Sequence, residues 1–336
     1  MGTPRRRRSE NARRLQVRVR SISYEGEYIN AYEVVDPEGK RLPAFTAGAH
    51  VDLYFRDGRI RQYSLCNDPA ERDRYVFGVQ REAQGRGGSI AIFEKVHVGR
   101  ILTISEPRNN FPLAEAARHH LLLAGGIGVT PMMAMVQELE RRGADWTLHY
   151  CTRTPEKTAF REKLAPLARA GRVQLHHDLG VPADGLDIAR LLKKPRPGTH
   201  LYYCGPPGFM AAAAKVCAHW PRGTVHFEHF SVPEAEVLDT DATPGDNRIG
   251  IGFQVKLASS GAVYDVPNDK SIVQVLREHG VEIATSCESG LCGTCRTRFL
   301  SGEPEHRDFV LDDEERQQFV MPCCARARSP VLVLDL

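Results

Sequence analysis

Hydrophobic and polar positions along the 336-residue chain change their period twice. In the first third, short runs at 15–20, 49–55 and 75–80 alternate or cluster apolar residues between glycine and proline. Leu15, Val17 and Val19 alternate with Gln16, Arg18 and Arg20, which places one face of a strand inward. Runs of this kind, bounded by turn residues, predict an antiparallel β-barrel. From His119 onward the order becomes strand, glycine turn, helix, repeated. Residues 120–124 are a continuous run after His120, as a strand buried on both faces needs, and 146–151, 173–176 and 201–204 read as further strands of the same sheet. Helical spacing fills 131–142 and 160–170 between them. That alternation predicts a doubly wound α/β domain. Residues 233–247 are acidic, carry Pro and Gly and lack apolar periodicity, so they read as a linker; a compact segment of about 90 residues follows. The segmentation is thus a tail at 1–14, a barrel at 15–113, an α/β domain at 114–232, the linker, and a third domain at 248–336.

Composition changes this picture little. Hydrophobic residues at 42% and charged residues at 26% are ordinary for globular domains, which excludes a disordered or fibrous chain. The net charge of +3 owes much to Arg5–Arg8, Arg13 and Arg14. Such a terminal run reads as a solvated tail, so no nucleic acid is expected as a partner. No stretch of 18 apolar residues occurs and no hydrophobic segment follows the arginines, so neither a membrane span nor an export signal is expected. A cytoplasmic monomer is the expectation. Nine cysteines, an odd number with several grouped late, then read as a metal site rather than a disulfide framework.

The metal signal is Cys287-x4-Cys292-x2-Cys295, with Cys323 after 27 intervening residues. This is the known plant-type [2Fe–2S] spacing. Three thiolates this close in sequence must converge through a tight backbone wrap, which Gly290 and Gly293 permit, while Ser286, Ser289 and Thr294 are small enough to leave room. Zinc sites favour two C-x2-C knuckles and only one is present. Cys324 next to Cys323 is the competing fourth ligand; read as a non-ligand, it packs as a small hydrophobe.

Two loops have the character of nucleotide cradles. Gly125-Gly126-Ile127-Gly128-Val129-Thr130-Pro131 follows the apolar strand, where glycines let a pyrophosphate approach and a helix start offers N–H donors. Thr130 is read as the cap and Pro131 as the first helical residue. Cys204-Gly205-Pro206 ends the last long strand at the carboxyl edge, where open sheets bind ligands, and Cys204 is placed beside a nicotinamide. Arg153, after the second strand, stands where an acid would select NAD, so these residues alone leave NADH and NADPH open. In the barrel, Arg61-Gln62-Tyr63-Ser64, read as lying just after a strand, offers a cation for phosphate, a ring for stacking and a hydroxyl for a flavin nitrogen. Gly85-Arg86-Gly87-Gly88-Ser89 opens a helix read at 90–96 and repeats the phosphate-cradle logic.

Taken together these motifs resemble the phthalate dioxygenase reductase family, which includes vanillate O-demethylase reductases, from about residue 15 to the C-terminus. The resemblance implies an FMN-binding barrel, an NADH domain and a plant-type ferredoxin domain of β-grasp fold. It implies that Arg61, Gln62, Tyr63 and Ser64 contact FMN, that Gly85, Arg86, Gly87, Gly88 and Ser89 hold its phosphate, and that Gly125, Gly126, Ile127, Gly128 and Thr130 hold the NADH pyrophosphate. Cys204, Gly205 and Pro206 would lie near the nicotinamide; Phe230, in His226-Phe227-Glu228-His229-Phe230, would lie near the flavin. Cys323, in Cys323-Cys324-Ala325-Arg326-Ala327, matches the family's fourth ligand. Ser64, Cys204 and Phe230 are the candidates nearest the chemistry. The implied function is an oxidoreductase passing electrons from NADH through FMN and [2Fe–2S] to a separate Rieske-type terminal oxygenase. Alternatives are an FAD-dependent reductase serving a ferredoxin or cytochrome P450, and a non-enzymatic iron–sulfur redox sensor.

Overall fold

The computed structural model describes residues 14–83, 87–230, 252–285 and 287–336. Most of the basic tail, the linker, Gly85, Arg86 and Ser286 lie outside the described residues. Arg14–Phe230 forms one compact unit, and the residues from 252 onward form another.

The first unit opens with β1 (Arg14–Gly26), β2 (Ile29–Val35), β3 (His50–Tyr54), β4 (Ile60–Ser64), β5 (Tyr75–Gln80), helix α1 (Gly88–Lys95) and β6 (Ile101–Ser105). The strands form one antiparallel sheet in the order β4-β3-β6-β1-β2-β5, and a bridge between Leu65 and Phe77 joins its two edges. Two positions differ from the sequence reading. Arg61–Ser64 are not beyond a strand but within β4, because the turn 55–59 sends that segment back along β3. Helix α1 begins at Gly88 rather than at residue 90, since Gly87 at φ 74° turns the chain into it.

The same unit continues with β7 (His119–Gly125), α2 (Val129–Arg142), β8 (Trp146–Thr152), α3 (Arg161–Arg169), β9 (Val173–His177), α4 (Ile188–Leu192), β10 (Thr199–Cys204), α5 (Pro207–Cys217) and β11 (Val225–Glu228). These strands are all parallel, in the order β11-β10-β7-β8-β9. Every residue of β7 is buried, as a central strand covered on both faces requires. On one face Leu122, Leu148, Tyr150 and Tyr202 pack with α2 into a core continuous with the barrel's Val17, Val51 and Phe77. On the other, Leu121, Leu123, Leu201 and Tyr203 pack with Leu192, Met210 and Ala213 from α4 and α5. Gly143, left-handed at φ 61°, ends α2.

The second unit holds β12 (Phe253–Leu257), β13 (Val263–Val266), α6 (Ile272–Glu278), β14 (Thr297–Ser301), β15 (Pro304–Glu305), β16 (Phe319–Val320), β17 (Arg326–Ala327) and β18 (Val331–Leu334). Its main sheet is mixed, in the order β13-β12-β18-β14-β16, with β12 and β18 parallel. Phe253, Val255 and Leu257 alternate inward against Ile272, Val275 and Leu276 of α6. Ser271 and Gln274 close a reciprocal capping box at the start of α6. Among the described residues no helix is long and apolar enough to cross a membrane.

Candidate functional site

In the C-terminal unit the cysteine loop curls as its glycines allow: Gly290 and Gly293 stand at φ 73° and 72°. A Cβ at Gly290 would come within 2.7 Å of Cys324 Sγ and 3.1 Å of Asp308 Cα, so only glycine fits. The amides of Ser289 and Leu291 donate to Cys287 Sγ at 3.4 and 3.3 Å, and that of Gly290 to Cys323 Sγ at 3.3 Å. Such bonds favour thiolate over thiol. Cys292, Cys295 and Cys323 are buried. The Cys292 thiol is pushed up by the Cys287 thiol beside it and by burial. Cys324 behaves differently: its thiol points to the Met321 carbonyl at 3.6 Å. Among the described residues no three candidate ligands meet around a single ion. A two-iron cluster makes no such demand, since each iron takes two protein thiolates. The donor set, soft sulfur surrounded by backbone N–H groups, fits that cluster. Beside it Glu288, left-handed at φ 50°, accepts from Arg277 at 2.5 Å and Thr285 at 3.0 Å.

In the barrel, Arg61 lies across the start of α1, where a Cβ on Gly88 would meet its Nε at 2.7 Å. Arg59, itself ion-paired with Asp57 at 2.6 Å, comes within 3.0 Å of a Cβ built on Gly87. Two guanidinium groups at a helix N-terminus make an anion cradle that flavin phosphate would fit. The Ser89 hydroxyl, at the same helix start, accepts from the Glu82 amide at 3.0 Å. Tyr63 stacks on Phe77 with ring centroids 5.5 Å apart.

In the nucleotide sheet the three glycines divide the work. A Cβ on Gly128 would lie 2.2 Å from the Cys204 carbonyl oxygen, and one on Gly125 2.9 Å from Pro206 Cδ. Those two exist for close packing of the loop against the end of β10. Gly126, at φ 52° with open space around it, is the one left for a ligand to approach. Thr130 is not the cap: Gly128 occupies that position, Thr130 is the second helical residue and Pro131 the third. The reason is a 3-10 turn at Gly126–Gly128 that runs directly into α2, so the helix starts earlier than the proline suggests. The buried Thr130 hydroxyl donates back to the Ile127 carbonyl at 2.9 Å. Cys204 is fully buried and burial pushes its thiol well up, so it is a neutral thiol. Gly205 lies against the Phe209 ring, and Phe230 is 39% exposed just past β11.

The residues that the sequence reading missed sit where barrel and nucleotide sheet meet. Glu228 ends β11 in register with Cys204, and Ser64 Oγ donates to its Oε2 at 3.3 Å. Burial raises the Glu228 carboxyl to about 8 against the opposing pull of Ser64. His50 Nδ1 is 3.7 Å from Glu228 Oε1. Burial, with Arg108 adding to it, holds His50 down to about 4. Gln62 Nε2 bridges His50 Nε2 and Asp52 Oδ1, each at 3.2 Å, and Arg108 reaches the fully buried Asp52 at 2.5 Å. One signal for them was available: His50 and Asp52 are polar residues on alternate positions of a strand whose other positions are apolar, and Glu228 is an acid at the carboxyl end of a parallel strand.

Known proteins resemble the chain in both its iron–sulfur and its nucleotide parts. A model of 2Fe–2S iron–sulfur cluster binding domains matches residues 255–328, and a model of oxidoreductase NAD-binding domains matches 122–215. The reductase subunit of a tert-butanol monooxygenase / tert-amyl alcohol desaturase from Aquincola tertiaricarbonis is 59% identical over 325 residues, covering 96% of each chain. The reductase subunit of phthalate 4,5-dioxygenase from Pseudomonas putida is 45% identical over 306 residues, covering 91% of each. Among solved structures, a phthalate dioxygenase reductase described as modular, with electron transfer from pyridine nucleotides to [2Fe–2S], matches with TM-score 0.70. It is 41% identical and the match covers 96% of this chain and 98% of that one.

Proposed function

The chain belongs to the phthalate dioxygenase reductase family and is an NADH-dependent iron–sulfur oxidoreductase, and from this we propose that it is a monomer that carries FMN and supplies electrons to a separate Rieske-type terminal oxygenase. Arg61, with Arg59 at the start of α1 and with Gly87, Gly88 and Ser89, holds the flavin phosphate. Gln62, Tyr63 and Ser64 line the ring. Gly85 and Arg86 belong to the same loop. Gly126 and the start of α2, with Gly125, Ile127, Gly128 and Thr130 shaping the turn, receive the coenzyme pyrophosphate. Cys204, Gly205 and Pro206 border the nicotinamide, with Phe230 at the flavin's edge. Cys287, Cys292, Cys295 and Cys323 ligate the cluster.

A bound flavin supplies the needed chemistry: it takes a pair of electrons as hydride and releases them singly, the only way a [2Fe–2S] centre accepts them. The protein's own part is placement and proton handling. Dividing a hydride into two single electrons leaves one proton over, and Glu228, tied to Ser64, is the carboxyl placed to hold it. The observation carrying this reading is the 3.3 Å contact of Ser64 with Glu228, which brings the flavin strand and the carboxyl edge of the nucleotide sheet to one point. Heat release and chromatography of the flavin should yield FMN at one per chain, with NADH-driven cytochrome c reduction by the same preparation. Recovery of FAD, or no flavin after reconstitution, defeats the proposal.

A further inference from the structure

The polar chain behind Glu228 has a direction. Gln62 presents both hydrogens of its Nε2, one toward Asp52 Oδ1 and one toward His50 Nε2, each at 3.2 Å. Turning the amide over would set its oxygen against the Asp52 carboxylate, and Asp52 is itself held by Arg108. The orientation of the amide is therefore fixed by charge. His50 Nε2 must then accept, and a neutral imidazole whose Nε2 accepts carries its proton on Nδ1. Among the described residues Nδ1 has no hydrogen-bond partner, and it faces Glu228 Oε1 at 3.7 Å. A buried donor without a partner is destabilising, so its retention beside a carboxyl calls for a use.

We propose that His50 is a positioning residue for Glu228, locked by Asp52 and Gln62 in the tautomer that offers Nδ1–H to the carboxyl, and that it sets how readily Glu228 releases the proton it takes up at each turnover. The inference rests on the proposed role of Ser64 and Glu228. The balance is simple. When a bound flavin gives up its two electrons singly, the proton left from the hydride would leave a flavin N–H bond and form an O–H bond on the Glu228 carboxylate, and that O–H bond breaks when the proton passes to solvent. Donation from His50 stabilises the carboxylate, which favours release. The charged and titratable groups around the pair are Asp52 on the same strand, Arg108 from the segment after β6, and Cys204 on β10. Asp52 favours the imidazolium, whereas Arg108 and burial oppose it, so His50 stays neutral and acts by donating rather than by charge.

The test is an infrared titration of the Glu228 carboxylic acid band in the holoprotein, assigned by its loss in Glu228→Gln and its shift in D2O. The wild-type midpoint should fall at about 8. His50→Leu should raise it by about one pH unit, a tenfold change in the acid-to-carboxylate ratio. His50→Gln, whose amide can donate, should restore most of the difference. Gln62→Leu leaves His50 in place but frees its Nε2 to carry the proton, and should shift the midpoint in the same direction; it also serves if His50→Leu does not fold. Unchanged midpoints in both leucine variants, or an equal shift in His50→Gln and His50→Leu, overturn the inference. NADH-driven cytochrome c reduction by the wild type is read separately. Its absence defeats the function proposed above without altering what the titration says of His50.

Discussion

On the proposed function the cysteine loop and the Ser64–Glu228 junction both serve electron transfer, but they are built by different means. In the loop, three thiols come from nine consecutive residues, and the groups aimed at sulfur are backbone amides of Ser289, Gly290 and Leu291. At the junction, Ser64, His50, Asp52 and Glu228 arrive from β4, β3 and β11, and what meets there is side chain against side chain. Backbone donors are indifferent to most substitutions around them, whereas a side-chain chain loses its geometry when one member is replaced. The loop should therefore fail only when a ligand or a required glycine is lost. The junction should respond in graded fashion to several residues.

The sharpest break with tolerance in the loop is at the adjacent cysteines. Cys323→Ser removes the sulfur that Gly290 N addresses and should abolish the cluster's visible absorption and its electron-paramagnetic signal on reduction. Cys324→Ser should keep both, because that thiol already donates to Met321. A preparation in which the roles are reversed would transfer the fourth ligand to Cys324.

The contrast also explains what could be read along the chain. The spacing of Cys287, Cys292 and Cys295 is a local code, because the loop that carries them also supplies its own donors. The order of barrel, α/β and C-terminal parts was legible for a similar reason, since apolar period is local. The start of α2 was misread because Pro131 suits a first helical turn, yet the 3-10 turn before it fills that role. Gly125 and Gly128 look like ligand glycines beside a strand, but their reason lies in Pro206 and the Cys204 carbonyl, about 80 residues away. Glu228 and His50 were missed because the contacts that give them a role are with each other and with Ser64, and Glu228 reaches both across 164 residues or more of sequence.

That division among the glycines yields the next largest effect. Gly128→Ala forces a Cβ to 2.2 Å from a backbone oxygen that no side-chain rotation can move aside. A loss of about 3 kcal/mol is expected, near the upper end for overpacked sites. Both tryptophans of the chain, Trp146 and Trp220, lie in the Arg14–Phe230 unit, so denaturant unfolding followed by tryptophan emission reads this unit alone. Gly126→Ala meets no neighbour and should lose only about 1 kcal/mol from its left-handed backbone, while raising KM for NADH. Equal destabilisation by the two would contradict the assignment of one glycine to the ligand and the other to packing.

An effect smaller than that of Gly128→Ala tests whether the junction's charge state is as buried as its geometry implies. Glu228 has a folded pKa raised to about 8 from an ordinary value of 4.5. A raised carboxyl favours the protonated form, so the folded state is relatively most stable below about 4.5 and loses that advantage as pH climbs to 8. His50, lowered from 6.5 to about 4, acts in the opposite sense, with stability present above 6.5 and lost as pH falls toward 4. Between pH 6.5 and 8 the histidine is neutral in the folded state and gives up its remaining proton in the unfolded one, a contribution common to wild type and Glu228→Gln, which leaves Glu228 as the member of the pair that distinguishes the two proteins. Over that window the wild type should lose about 1–2 kcal/mol relative to Glu228→Gln, measured by the same tryptophan signal. Parallel pH profiles for the two proteins would mean that water reaches the carboxyl freely. The side-chain junction would then be as tolerant as the backbone-built loop.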